Sequence, residues 1–266
     1  MSNFTNQNYL KNNQYRDSTN LDARIYLHRH FSTNPQGWYP WLFDTLETLP
    51  SKARVLELGC GSGLLWSTCP DRIPADWNIT LSDISGGMLL AAWRNLVITG
   101  KAFKYEQFDA QSIPYPDKSF DFVIANHMLY HVPDRQKALQ EIRRVLKPDG
   151  LLLASTVGEQ HMQEIEGWLK QVSLNNQYAP FRSAFTLESG QMELASAFTN
   201  ISRLRYPDKL HITETPALIA YIRSVLTANE LSETALKTLQ AQLEDKLHTD
   251  KYISVKKDTG LFLAHR

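Results

Sequence analysis

Val55-Leu56-Glu57-Leu58-Gly59-Cys60-Gly61-Ser62-Gly63 is the stretch on which the reading of the fold rests. A short apolar run passes into three glycines spaced G-x-G-x-G, and Leu64 and Leu65 follow at once. That order predicts a buried strand, a tight turn and a helix beginning near Leu64. Glycine lets the backbone bend sharply and approach a ligand with no Cβ in the way. The new helix offers free N–H groups in its first turn. Cys60 sits inside the turn, where a small side chain fits. With Cys69 the only other cysteine, no disulfide framework is expected.

The same alternation continues on both sides. Arg54–Leu58, Asn78–Leu81, Phe103–Phe108, Phe120–Ala125 and Leu151–Ser155 read as buried strands, with helical spacing in Gly86–Thr99 and Asp134–Leu146. Asp134 is placed to cap the second of these helices and Lys147-Pro148-Asp149-Gly150 to stop it. Strands alternating with helices at this spacing predict a doubly wound α/β fold with a parallel sheet. Upstream, Leu21–Phe31 and Tyr39–Leu49 carry apolar groups at helical spacing. The amide-rich first 20 residues have few groups to bury and, taken alone, are expected to lack fixed structure. Downstream, Gln160–Leu174, Leu187–Phe198, Pro216–Leu226 and Glu230–His248 read as helices. Ile201–Thr213 reads as a strand broken near Pro207-Asp208. Tyr252–Val255 and Leu261–Ala264 read as a last strand pair around Asp258-Thr259-Gly260. The aromatic segments Gly37–Trp41 and Tyr178–Phe185 read as core packing ahead of pocket lining.

Three acids stand at successive strand ends. Glu57 precedes the glycines by two residues, Asp83 closes Thr80-Leu81-Ser82-Asp83-Ile84, and Asp109 with Ala110 follows the third strand. Dinucleotides and S-adenosylmethionine (SAM) are both held by strand–glycine–helix turns. The dinucleotide fingerprint spaces its glycines G-x-G-x-x-G and rests a pyrophosphate on the helix. Here the spacing differs, and Glu57 would repel a pyrophosphate but pair with the amino group of a methionine moiety. Asp83 can accept both ribose hydroxyls, Asp109 the adenine amine, and the Ala110 N–H can reach the ring. Asn126, His127 and His131 follow the fourth strand, where open α/β sheets bind ligands. His127 and His131 are candidate general bases, ordinary imidazoles being suited to proton transfer near neutrality. No H-E-x-x-H glutamate and no third ligand accompany them, so no metal is expected.

Lysine plus arginine equals aspartate plus glutamate at 28 each, so no basic surface for nucleic acid is predicted. No apolar stretch approaches the length that crosses a bilayer, and the polar N-terminus is no signal peptide. A cytoplasmic protein acting on small molecules, without nucleic acid or membrane as partner, is the expectation. The oligomeric state is not set by the sequence.

VLELGCGSG, LSDIS, FDAQSIPYPDKSFDFVIANHMLYHVPD and EIRRVLKPDGLLL, across about residues 53–156, together resemble the class I SAM-dependent methyltransferases. The likeness is to the branch with the ubiquinone/menaquinone-biosynthesis and small-molecule O-, N- and C-methyltransferases. It implies a Rossmann-like, seven-stranded, mostly parallel sheet whose last two strands form an antiparallel hairpin. It implies SAM as cofactor, with Glu57, Gly59, Gly61 and Gly63 at its methionine end, Asp83 at the ribose and Asp109 at the adenine. Cys60, Ile84, Ala110 and Asn126 complete the expected cofactor contacts. Residues 1–50 would form an N-terminal helical lid, with Tyr15, Arg24, Tyr26 and His30 as its candidate residues. Residues 51–266 would form the methyltransferase domain, with a helical cap inserted at about 214–249. The implied activity is methyl transfer to an O, N or C nucleophile of a small molecule. A SAM-binding regulatory domain without transfer activity is the other reading.

Overall fold

The computed structural model describes residues 5–172, 185–226 and 231–266. Its strands are β1 (Lys52–Leu58), β2 (Asp76–Asp83), β3 (Phe103–Gln107), β4 (Phe120–Asn126), β5 (Leu146–Val157), β6 (Thr199–Ile212) and β7 (Ile253–His265). They form one sheet in the order β3-β2-β1-β4-β5-β7-β6. Pairs β1–β2, β1–β4, β2–β3 and β4–β5 are parallel, while β7 runs antiparallel to both β5 and β6. The order reverses between β1 and β4, and in open sheets that is where ligands bind, at the carboxyl ends.

Helices cover both faces, as the near-continuous apolar runs require. Leu56, Leu58, Val123, Ala125, Leu152 and Ala154 pack beneath α6 (Arg135–Val145) and α8 (Gly190–Leu194). Val55, Phe122, Ile124, Leu151 and Leu153 pack on the other face with α3 (Trp38–Leu46), α4 (Leu64–Thr68) and α5 (Gly86–Leu96). The period of two assigns each residue its face. A third apolar cluster joins α2 (Thr19–Phe31), α7 (Gln163–Val172), α9 (Thr215–Val225) and α10 (Glu233–Thr249) to the far ends of β6 and β7. Asp134 caps α6 as expected, accepting from the Lys137 N–H at 3.0 Å.

Several sequence expectations are corrected. β6 passes through Pro207-Asp208 unbroken, because it is the edge strand and its proline leaves no partner strand without a donor. Asp258-Thr259-Gly260 is no turn. Those residues pair with β6 on one side, Thr259 and Gly260 also with β5 on the other, and the two ladders hold β7 straight. Within Leu187–Phe198 only Gly190–Leu194 is helical. Residues 5–20 are folded: a short helix α1 (Gln7–Tyr9) and a π-helical turn at Leu10–Gln14 lie against the body. Leu10 is buried, and the Gln14 amide donates to the Ser224 carbonyl at 2.9 Å. Of the expected segments Gln160–Leu174, Tyr178–Phe185 and Glu230–His248, residues 173–174, 178–184 and Glu230 lie outside the described residues. No described helix is long and apolar enough to cross a membrane.

Candidate active site

A cavity of about 1060 Å³ opens at the carboxyl ends of the strands. One half is built by β1, β2 and β3. Gly59 and Gly61 take φ of +62° and +55°, the left-handed region that side chains disfavour. A Cβ on Gly59 would also lie 2.7 Å from Met128 Cβ. Asp83 lies behind the turn, its Oδ2 accepting from the Gly61 N–H at 3.0 Å and its Oδ1 from the Ser85 N–H at 2.8 Å. Burial pushes its carboxyl up to about 6, against these main-chain hydrogen bonds. At Asp109, burial raises the carboxyl, but bonds from Gln111 N (2.9 Å), Gln111 Nε2 (2.8 Å) and Gln7 Nε2 (2.6 Å) hold it below its ordinary value. Cys60, Ile84 and Ala110 line this half with them.

Two expected contacts are not brought into the cavity. Glu57 alternates onto the α4 face of β1, where it is 2% exposed and accepts from Trp66 Nε1 at 2.6 Å. Burial pushes its carboxyl up to about 8, the Trp66 bond opposing and Asp83 adding to the rise. Gly63 ends the turn as the residue before α4, where an added Cβ would lie 2.9 Å from Leu96 Cδ1. The wall contains neither residue.

The other half begins at β4. Asn126 Oδ1 accepts from Ser155 Oγ at 2.6 Å, and the same hydroxyl accepts from the His127 N–H at 2.9 Å. That bond holds His127 at φ +52°, its ring 5.1 Å from the Trp38 ring. Burial, with Lys257 and His131 adding to it, pulls the His127 imidazole down to about 3. His131 closes a 3₁₀ turn (Leu129–His131), so the two histidines share no helix face. Its Nε2 lies 2.9 Å from the Tyr15 hydroxyl, which accepts from Arg24 Nη1 at 3.1 Å. In the tautomer with Nε2 unprotonated, the Tyr15 hydroxyl donates to His131 Nε2.

The sequence reading missed His28 from α2, His161 after β5, Tyr221 from α9 and Lys257 from β7 in the wall, and it ranked Trp38 and Tyr39 of α3, which also line it, as core packing. Lys257 Nζ pairs with Asp208 Oδ2 at 2.7 Å, the two side chains 7% and 0% exposed. Asp208 also accepts from Ser32 Oγ and the Thr33 and Asn34 N–H groups. His161 Nδ1 accepts from the Asp258 N–H at 3.1 Å, which puts its own hydrogen on Nε2. Burial, then Lys257, pulls both His28 and His161 down. The i, i+4 spacing of Arg24 and His28 on α2 was a usable signal. Nothing local marked Lys257 or His161.

These features suit the adenosyl cofactor. Asp83 spends its two oxygens on main-chain N–H groups and keeps lone pairs for two hydroxyls. The left-handed glycines bring bare backbone to the wall beside it. The strand order, the turn and the strand-end acids resemble those of a class I SAM-dependent methyltransferase site.

Residues 56–154 match the family model described as a methyltransferase domain. A ubiquinone/menaquinone biosynthesis C-methyltransferase from Xanthomonas oryzae pv. oryzae is 34% identical over 117 residues, covering 43% of this chain and 46% of that protein. The biotin biosynthesis bifunctional protein of Bordetella avium is also 34% identical over 117 residues, 44% of this chain and 24% of its own length. The match thus spans about half or less of these relatives. Among solved structures, phosphoethanolamine N-methyltransferase 2 of Haemonchus contortus, in complex with S-adenosylhomocysteine, has a TM-score of 0.59 at 21% identity, covering 100% of this chain and 60% of its own. The YcgJ protein of Bacillus subtilis has a TM-score of 0.59 at 19% identity, covering 86% and 97%. These two share the fold.

Proposed function

We propose that this chain transfers a methyl group from SAM to an O, N or C nucleophile of a small molecule held in the β4–β7 half of the cavity. The carrying observation is that both halves are one continuous cavity, with the glycine turn on one side and the histidine-lined chamber on the other. Asp83 would hold the ribose hydroxyls, Asp109 and Ala110 the adenine, and Gly59, Cys60 and Gly61 the methionine end. When bound, SAM supplies an electrophilic methyl on a sulfonium, a good leaving group.

The chain's own task is then alignment, exclusion of water and proton handling. Trp38, Tyr39, Tyr130 and Tyr221 enclose the acceptor side with aromatic surface. His127 is too weak a base, at about 3, to keep an acceptor's proton, so its part is to orient and pack. His131 is the better candidate. An acceptor proton passing to the Tyr15 oxygen, as the Tyr15 hydrogen moves to His131 Nε2, needs no rearrangement of the 2.9 Å contact. Acting on small molecules in the cytoplasm, without nucleic acid or membrane as partner, belongs to the same proposal. The ubiquinone/menaquinone relatives suggest a quinone-related acceptor and C-methylation.

The test is S-adenosylhomocysteine formation from SAM with acceptor pools, phenols and quinols first. Turnover by the wild type that falls in Tyr15→Phe and His131→Ala together supports the reading. SAM binding with no turnover on any pool would favour a regulatory domain. Undiminished turnover in both variants would remove the proton relay.

A further inference from the structure

Along the strand ends β3, β2, β1 and β4 stand Asp109, Asp83, the Gly59–Gly61 turn and Asn126 in that spatial order. On the SAM reading proposed above, adenine at Asp109 and ribose at Asp83 send the amino-acid tail past the glycine turn toward β4. Helix α2 crosses the cavity at that point. Leu21 Cδ2 lies 3.3 Å from where a Cβ on Gly61 would be, and Arg24 follows one helical turn later, also in the cavity wall.

The Arg24 guanidinium has an unusual set of partners. Its Nε donates to Ser224 Oγ at 3.1 Å, its Nη2 to the Ser224 carbonyl at 2.5 Å and its Nη1 to the Tyr15 hydroxyl at 3.1 Å. All three acceptors are neutral. Arginine carries five N–H donors in a fork that fits a carboxylate, so two donors remain. Among the described residues no acidic side chain pairs with it. The acids near the turn are already engaged, Glu57 by Trp66 and Asp83 by the Gly61 and Ser85 N–H groups. Of the other cavity cations, Lys257 is closed against Asp208, and Arg29 is exposed at the rim.

We infer that Arg24 is the residue that binds the carboxylate of the cofactor's amino-acid tail. An anion brought into this cavity needs a cation or several donors to replace its water, and Arg24 offers both at the tail's end of the strand row. Because α2 carries it and Ser224 of α9 steadies it, the tail would also fasten the N-terminal helices over the cofactor.

Calorimetry on the full chain tests this with three probes: S-adenosylhomocysteine, SAM against its decarboxylated analogue, and 5′-methylthioadenosine, which lacks the tail. The expected result is that Arg24→Met weakens S-adenosylhomocysteine by about 10- to 100-fold. It also abolishes the preference for SAM over decarboxylated SAM and leaves methylthioadenosine within about twofold. Arg24→Lys, which keeps the charge without the fork, should lose less and only on the carboxylate-bearing probes. Equal weakening of methylthioadenosine would overturn the inference and make Arg24 a strut of the lid. So would an unchanged ratio between probes, which would leave the cation for an acidic acceptor. Failure of the wild type to bind any adenosyl probe would instead remove the cofactor reading itself.

Discussion

Glu57→Gln separates what the sequence suggests for this acid from what the structure assigns to it. The carboxyl is 2% exposed, accepts from Trp66 Nε1 at 2.6 Å, and is pushed by burial from its ordinary 4.5 up to about 8. An acid raised in the folded state binds its proton more tightly there. Its stabilising proton is therefore fully present below about 4.5 and is lost as pH rises through about 8. At about 1.4 kcal/mol per pH unit, the whole window is worth roughly 5 kcal/mol, and the step from pH 6 to pH 8 about 2 kcal/mol. Glutamine keeps the shape and the acceptor for Trp66 but has no proton to lose. Urea unfolding of both proteins at pH 6, 7 and 8 should show the wild type losing about 2 kcal/mol more than the variant. Parallel pH curves would refute the buried, protonated acid. The same variant should keep S-adenosylhomocysteine affinity within about threefold. A loss beyond about tenfold in a folded variant would return Glu57 to the methionine end.

Asp83→Ala should weaken adenosyl ligands by at least about 100-fold in calorimetry, since two hydroxyls lose a charged acceptor worth ~1.5–3 kcal/mol each. In the wild type, affinity should fall as pH drops below about 6, where the raised carboxyl takes up a proton. Gly59→Ala must hold φ +62° and meet Met128 Cβ at 2.7 Å, so denaturation should register a cost of ~1–3 kcal/mol. Lys257→Met leaves the buried Asp208 without its counter-ion and should cost up to ~3–5 kcal/mol, with Asp208→Asn in the same chain recovering part of it. His127→Asn, with a residue that tolerates φ +52°, should lower turnover without moving its pH profile across about pH 6 to 9, because the ring is already neutral there.

The core was legible because its signals are local. Val55 to Gly63 shows strand, turn and helix within nine residues, and Leu139, Ile142 and Leu146 show their spacing within eight. The edges were less legible because the sheet overrode local signals. Pro207 reads as a break until the strand is known to lie at the edge, and Gly260 reads as a turn until ladders are found on both sides. At the site, Asp83 and Asp109 stand at strand ends that the alternation alone locates. Glu57 lies outside the cavity wall because of one property that spacing does not show. The turn that exposes Gly59 and Gly61 begins a residue too late to carry Glu57 with it, so the pleat delivers that side chain to Trp66.

The histidine-lined chamber gathers residues from several distant elements, and its electrostatics follow from that assembly. His28, His127 and His161 are all held uncharged, burial outweighing every other influence on them. Lys257 would make the chamber cationic, yet Asp208 closes it off at 2.7 Å on the side away from the strand ends of β1 to β3. A sulfonium placed at the glycine turn would therefore meet neutral imidazoles and aromatic faces rather than like charge. Charged imidazoles there would cost cofactor affinity, since like charges in low dielectric repel strongly. The burial that weakens His127 as a base would thus serve the cofactor half of the same cavity. On the proposed reading, proton removal would then fall to the Tyr15–His131 pair, at the seam where the N-terminal helices meet the turn after β4.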